Sequence, residues 1–224
     1  MGAAMTSSLD SQEVTAVLQR LFKAADETDP KIHARIRAES PGGVRNDALA
    51  RELLGGAYIP VSPEAGRLLY ILGRSTAAKN VVEFGASFGI STIHLAAATR
   101  DNGSGHVVSS EMHPEKVKQA RKNIRDAGLS QYAEIREGDA LQTLAHLDEP
   151  IDFVFLDGWK ELYLPLLKLL EPRLRTGALV IADDLNIFPE VMKPYLEYVR
   201  KPGHGYSSVE MPVGDGMEIS VRTA

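Results

Sequence analysis

Apolar positions change their period along the chain. Val14, Val17, Leu18, Leu21 and Phe22 recur at helical spacing and predict an amphipathic helix over residues 11–26. A second short helix is predicted from Pro30, with Ile32 and Ile36 on one face. Ser40-Pro41-Gly42-Gly43 breaks the chain, and Asn46 caps a third short helix that ends at Gly55-Gly56. Beyond that point the pattern alternates. Ser62-Pro63 is an N-cap followed by proline at the first helical position, opening a helix that runs to about Ala78. Strands are predicted at 81–84, 106–111, 133–136, 151–157 and 178–184. The helices that follow them are expected at 90–99, 114–127, near 140–147, 161–171 and 189–200. Two last strands, near 206–211 and 216–222, flank Val213-Gly214-Asp215-Gly216 and read as a hairpin.

Five βα units in succession predict a doubly wound, mostly parallel α/β sheet with helices on both faces. The hairpin adds an antiparallel pair at one edge, for seven strands in all. Residues 1–56 are expected as a helical extension, a lid or a dimer contact, and 57–224 as one domain. The length of 224 residues suits that organisation. A chain with 44% apolar and 25% charged residues is globular rather than low-complexity. A net charge of −5 argues against non-specific nucleic-acid or membrane-surface binding as the main task. Cysteine is absent, which excludes disulfides and thiolate chemistry and suits a reducing compartment such as the cytoplasm. No apolar run is long enough for a membrane-spanning helix. Asn102-Gly103-Ser104 has the form of a glycosylation sequon but reads better as an Asn-Gly turn.

In such sheets ligands sit beyond the carboxyl ends of the strands. The first strand runs into VVEFGASFGIST, residues 81–92, with Gly85 and Gly89 spaced G-x-x-x-G. That is not the G-x-G-x-x-G of dinucleotide binders, whose second glycine admits a pyrophosphate. Ala86 and Ser87 fill that stretch, and Glu83 would repel phosphate while suiting an ammonium group. Glu111 closes the second strand, where an acid accepts hydrogen bonds from ribose hydroxyls; Gly138-Asp139-Ala140 follows the third and could meet an adenine edge. Ribose, adenine and an amino group without pyrophosphate describe S-adenosylmethionine. A tight βα turn alone would also use Gly85 and Gly89. Asp157 ends the fourth strand, and Asp183 and Asp184 end the fifth. Three carboxylates at one sheet edge repel one another, and a hard divalent cation, Mg²⁺ or a relative such as Mn²⁺ or Ca²⁺, would resolve the conflict. The alternative is that one or two are helix caps or exposed acids. Lys160, in Asp157-Gly158-Trp159-Lys160, is a candidate general base or a solvated side chain, and Trp159 either stacks on a ligand or packs. His94 reads as a packed residue.

From about residue 55 onward the chain resembles the cation-dependent class I O-methyltransferases, a Rossmann-like group that includes the catechol and caffeoyl-coenzyme A enzymes. VVEFGASFGIST resembles their donor loop. FLDGWKELYLPLLKLLEPRLRTGALVIADD resembles their metal and base segment, and VEMPVGDGMEIS their closing hairpin. The resemblance implies that Val61, Glu83, Gly85, Ser87 and Ser91 line the methionine end of S-adenosylmethionine. It implies Glu111 at the ribose, Asp139 and Ala140 at the adenine, and Asp157 among the donor-binding residues as well. Asp157, Asp183 and Asp184 would bind the metal, and Lys160 would deprotonate a hydroxyl of a small catechol-like or phenolic acceptor. A homodimer is implied as well. Two departures stand out. The family usually carries Asp-Asn where this chain has Asp183-Asp184, and the His of the catechol enzymes' D-H-W-K is Gly158 here. Three other readings remain open. One is methylation of hydroxylated uridine in transfer RNA, with Lys31, Arg35, Arg37, Arg45 and Arg51 on phosphates. The others are a non-catalytic S-adenosylmethionine-binding protein and a dinucleotide oxidoreductase, the last disfavoured by the glycine spacing.

Overall fold

The computed structural model describes residues 7–39, 52–147, 150–187 and 189–224. After a short 3₁₀ turn at Ser8–Asp10 come α1 (Gln12–Glu39), α2 (Pro63–Ser75), β1 (Asn80–Phe84), α3 (Ile90–Asp101), β2 (His106–Glu111) and α4 (Pro114–Asp126). Next are β3 (Ala133–Glu137), α5 (Ala140–Thr143), β4 (Ile151–Leu156), α6 (Tyr163–Leu170), β5 (Leu174–Ala182), α7 (Pro189–Arg200), β6 (Tyr206–Met211) and β7 (Met217–Arg222). The seven strands lie in the order β3-β2-β1-β4-β5-β7-β6. The first five are parallel, and β7 pairs antiparallel with both β5 and β6.

Alternation along each strand divides the interior into two layers. Val81, Phe153, Phe155, Leu179 and Ile181 face one apolar core; Val82, Phe84, Val154, Leu156, Val180 and Ala182 face the other. The first layer also takes in Leu9, Val14, Val17, Leu18 and Leu21, so the N-terminal helix packs into the same core as the sheet. The caps follow the sequence: the Ser62 hydroxyl accepts the Ala65 amide at 3.1 Å, with Pro63 next in the helix. Asn102 turns the chain after α3, its side-chain amide donating to the Gly73 and Ala78 carbonyls.

Four local expectations differ from the structure. The two predicted N-terminal helices are one, 28 residues long with Pro30 inside it. Proline removes one helical hydrogen bond and ordinarily breaks a helix. Here the buried stripe Val14, Val17, Leu18, Leu21, Ala25, Asp29, Ile36 runs straight through it, and packing along that stripe overrides the local break. The fifth strand begins at Leu174 rather than 178, because an irregular register between Ile151 and Phe153 absorbs the Thr176-Gly177 stretch into the ladder. The helix expected near 140–147 closes after four residues, and that expected at 161–171 is a 3₁₀ turn at Lys160–Leu162 followed by α6. The predicted break at 40–43, the Asn46 cap, Arg45 and Arg51 lie outside the described residues. Arg35 is engaged by Glu39 on its own helix at 2.6 Å.

His94 is packed, as its helix position suggested. It is 4% exposed, and its Nδ1 is bonded to the Ile90 carbonyl. Gly66 on α2 makes room for it: a Cβ there would lie 2.6 Å from the ring. Burial pulls the imidazole down to about 4, with Arg67 acting in the same direction and the Ile90 carbonyl opposing. The unfolded chain takes up this proton near pH 6.5 and the folded chain does not, so stability is complete above that pH and falls as pH drops towards 4. Between pH 7 and pH 5 the wild type is therefore expected to lose about 2 kcal/mol more than His94→Gln in urea unfolding. Equal losses in the two proteins would sink this assignment.

Candidate active site

The strand order reverses between β1 and β4, and a crevice opens at their carboxyl ends. Gly85 and Gly89 hold φ of 98° and 90° in the loop after β1. A Cβ on Gly85 would stand 2.5 Å from the Asp157 carbonyl oxygen, so only glycine lets the β1 and β4 ends approach this closely. The Gly85 and Ala86 amides both donate to the Ser110 carbonyl, at 2.9 and 3.2 Å, which anchors the loop to β2. A cleft at this point is lined by Tyr58, Val61, Gly85, Ser87, Ser91 and Asp157, among others. Five of the predicted donor residues thus meet in one place.

Glu83, the acid before the loop, is fully buried in the row that carries Val81. Thr92 donates to one of its oxygens, and Oε1 has no partner. Burial pushes its carboxyl up, while the hydroxyls of Ser109, Ser91 and Thr92 pull it partly back. A buried carboxylate with a free acceptor beside the glycine loop fits a cationic amino group. Glu111 is already employed: one oxygen accepts the Ser87 amide at 2.9 Å and the other the His113 amide at 2.8 Å. Each oxygen keeps a further lone pair. Asp139 caps α5, accepting the Leu141 amide at 2.9 Å, and the Ala140 methyl is buried in the second core. These three sit at the β2 and β3 ends, outside the lining of the cleft.

Asp157, Asp183 and Asp184 converge at the β4 and β5 ends, with one oxygen from each within 4.8 Å of the others. The Lys160 ammonium lies among them, 2.6 Å from Asp184 Oδ2 and 3.7 Å from Asp157 Oδ1. It also donates to the Tyr163 hydroxyl at 2.9 Å and is 8% exposed, which sets aside the solvated reading. Asp184 takes φ of 66°, a left-handed turn that aspartate tolerates, and its amide donates to Asp183 Oδ1. Burial raises the Asp157 carboxyl well above the usual range; Lys160 opposes, and Asp183, Asp184 and Glu83 add to the rise. Burial and the Asp184 charge push Asp183 up to about 7. Fully ionised, three carboxylates and one ammonium carry a formal −2, the charge a single divalent cation would neutralise through oxygen ligands. The donor set therefore fits such an ion.

Tyr163 was not singled out by sequence, because it falls on the apolar face of α6 and reads there as a core residue. Trp159 packs against the second core. Gly158 has no room for a side chain, since the Phe84 ring occupies the space a Cβ would take.

A family model described as a methyltransferase domain matches residues 82–185. A catechol O-methyltransferase of Niastella koreensis is 36% identical over 152 residues, covering 64% of this chain and 68% of that one. Caffeoyl-CoA O-methyltransferase 1 of Nicotiana tabacum is 29% identical over 184 residues, covering 72% of this chain and 76% of its own. In fold, the chain matches the crystal structure of an O-methyltransferase from Bacillus cereus in complex with SAH. The TM-score is 0.70 at 22% identity, over 93% of this chain and 91% of that one.

The contact at Gly158 gives a direct check on the β1/β4 packing. A Cβ at 2.4 Å from the Phe84 ring must displace a core aromatic. Gly158→Ala is expected to lower unfolding free energy by about 1–3 kcal/mol in urea titration. An unchanged midpoint would contradict the packing described.

Proposed function

The chain belongs to the class I S-adenosylmethionine-dependent O-methyltransferase family, and from that premise we propose that it methylates one hydroxyl of a small catechol-like acceptor with the help of a divalent cation. The observation that carries this reading is the juxtaposition at Asp157. Its residue lines the donor cleft, and its carboxylate belongs to the three-acid cluster that holds Lys160. Methyl donor and acceptor hydroxyl would meet across that residue.

On this reading Val61, Gly85, Ser87 and Ser91 wall the methionine end of the donor, and Glu83 faces its ammonium. Glu111 takes the ribose and Asp139 and Ala140 the adenine, the latter through backbone atoms because the methyl is buried. Bound S-adenosylmethionine supplies an electrophilic methyl on a sulfonium. A cation on Asp157, Asp183 and Asp184 would supply Lewis acidity that favours an ionised acceptor oxygen. Lys160 takes the acceptor's proton. Asp184 and Asp157, at 2.6 and 3.7 Å, stabilise the ammonium that results. Tyr163 orients the Lys160 Nζ through their 2.9 Å hydrogen bond. The rest of the acceleration comes from alignment of the acceptor oxygen with the methyl, where about 7–11 kcal/mol is available to well-oriented reactants. Residues 57–224 would form the catalytic unit, to which Gln12–Glu39 adds a helical extension.

The test is methyl transfer to catechol, followed by mass spectrometry of the product. Excess chelator is expected to abolish turnover and added Mg²⁺ to restore it. Lys160→Met is expected to lower kcat by about 100-fold or more, with S-adenosylhomocysteine affinity unchanged. Full turnover in chelator would remove the cation from the mechanism, and an unimpaired Lys160→Met would remove the base.

A further inference from the structure

We propose that Asp29, on the N-terminal helix, is a positioning residue for the methyl donor: its carboxylate clamps residues 58 and 59, and through them the segment that forms one wall of the donor cleft. The inference rests on the donor reading above and concerns that same cleft. Tyr58, Ile59, Pro60 and Val61 line the cleft together with residues of the glycine loop, Gly85 and Ser87 among them. Asp29 Oδ1 accepts the Tyr58 amide and Oδ2 the Ile59 amide, both at 2.8 Å. Both oxygens of one carboxylate thus serve two successive amides.

The clamp holds a conformation the segment does not favour by itself. Ile59 has φ of 43°, and a β-branched residue in the left-handed region is strained. Its side chain is 41% exposed, so core packing is not what imposes that geometry. The amide-to-carboxylate bonds are. Asp29 itself sits on the buried stripe of α1, 8% exposed, where an apolar residue would seat the helix equally well. A charge placed there loses hydration, and its two hydrogen bonds to residues 58 and 59 are the compensation.

The opposite side of the segment is latched to the glycine loop. Tyr58 stacks on Phe88 with centroids 4.0 Å apart, and its carbonyl accepts the Ser87 hydroxyl at 2.7 Å. Ser87 Oγ in turn accepts from the Lys116 ammonium at 3.3 Å. Lys116 is 7% exposed; burial holds its ammonium below the usual lysine range, and the Glu111, Asp29 and Asp157 carboxylates oppose that shift. Asp29 therefore fixes the outer edge of a wall whose inner edge the donor loop already holds. Its loss frees the wall without removing any group that lines the cleft. Preorganisation of this kind acts on affinity rather than on chemistry.

The test compares wild type, Asp29→Asn and Arg20→Ala in the full chain. Asparagine keeps one acceptor oxygen and turns an NH₂ towards the second amide, so it preserves size while breaking the clamp. Arg20 joins α1 to Asn123 and Asp126 on α4 and touches nothing in the cleft, so Arg20→Ala reports general loosening of the helix. Asp29→Asn is expected to raise the Kd for S-adenosylhomocysteine and the KM for S-adenosylmethionine about ten-fold. The kcat and the KM for catechol should stay within about two-fold of wild type. In hydrogen exchange without ligand, the Tyr58 and Ile59 amides should lose protection in Asp29→Asn alone. Arg20→Ala should match wild type in every affinity. Wild-type affinity in Asp29→Asn, or equal weakening in Arg20→Ala, would overturn the inference and leave the functional reading standing. A wild type that binds no S-adenosylhomocysteine would overturn that reading, and this inference with it.

Discussion

Three carboxylates and one ammonium, largely withdrawn from water at the ends of two adjacent strands, are the constraint to which the rest of the structure answers. Like charges this close cannot all be ionised in a poorly hydrated site without a counter-charge. The rise of Asp157 and Asp183 above the usual carboxylate range is the direct sign of that conflict. The arrangement persists because parallel pairing fixes where β4 and β5 end. Leu156 is level with Ala182, and the Asp183 amide donates to the Leu156 carbonyl at 3.0 Å. Register alone therefore brings the two acidic loops together. The same register on the other side sets Phe84 level with Leu156 and the Asp157 amide on the Phe84 carbonyl, which puts the glycine loop against Asp157. The cleft at the glycine loop and the acid cluster are neighbours because β4 is shared between them.

Glycine then decides how close the two can come. At Gly85 the neighbouring backbone occupies the place of a side chain, and at Gly158 the Phe84 ring does. Both residues flank the β1/β4 seam, so the seam is closed by side-chain absence on each strand. A histidine at position 158, as in the catechol enzymes that the motif resembles, would require the Phe84 ring to sit elsewhere. The departure at Gly158 and the aromatic at Phe84 form one packing solution.

Much of this was legible in the sequence because strand ends are written locally. VVEF running into Gly85, and IDFVFL running into Asp157-Gly158, mark both the direction of a strand and the chemistry at its tip. What failed to show depends on distant partners. Pro30 reads as a helix start under local rules, and only the apolar stripe continuing to Ile36 keeps α1 intact. Asp29 beside it carries no signal in the sequence, since its partners lie 29 and 30 positions away. Tyr163 falls on an apolar helix face, and nothing in the periodicity separates a core tyrosine from one whose hydroxyl meets Lys160. Thr176-Gly177 reads as a loop, because a bulge looks like a turn until the neighbouring strand is known. Periodicity tells which face a residue takes. It does not tell which buried polar groups find one another.

The pair at Asp183-Asp184 shows how one atom-scale change redistributes a site. An asparagine at 184 would leave two carboxylates against Lys160, a formal sum of −1. The aspartate makes it −2 and places a charged oxygen 2.6 Å from the ammonium. Two consequences follow with opposite sign. The extra charge strengthens the attraction of the cluster for a dication. It also binds the Lys160 ammonium, which competes for the same carboxylate. A cation on the three carboxylates would draw on the same Asp184 charge that holds Lys160. On the function proposed above, the acid cluster and Lys160 would be coupled through one carboxylate, a coupling that an amide at this position would lack.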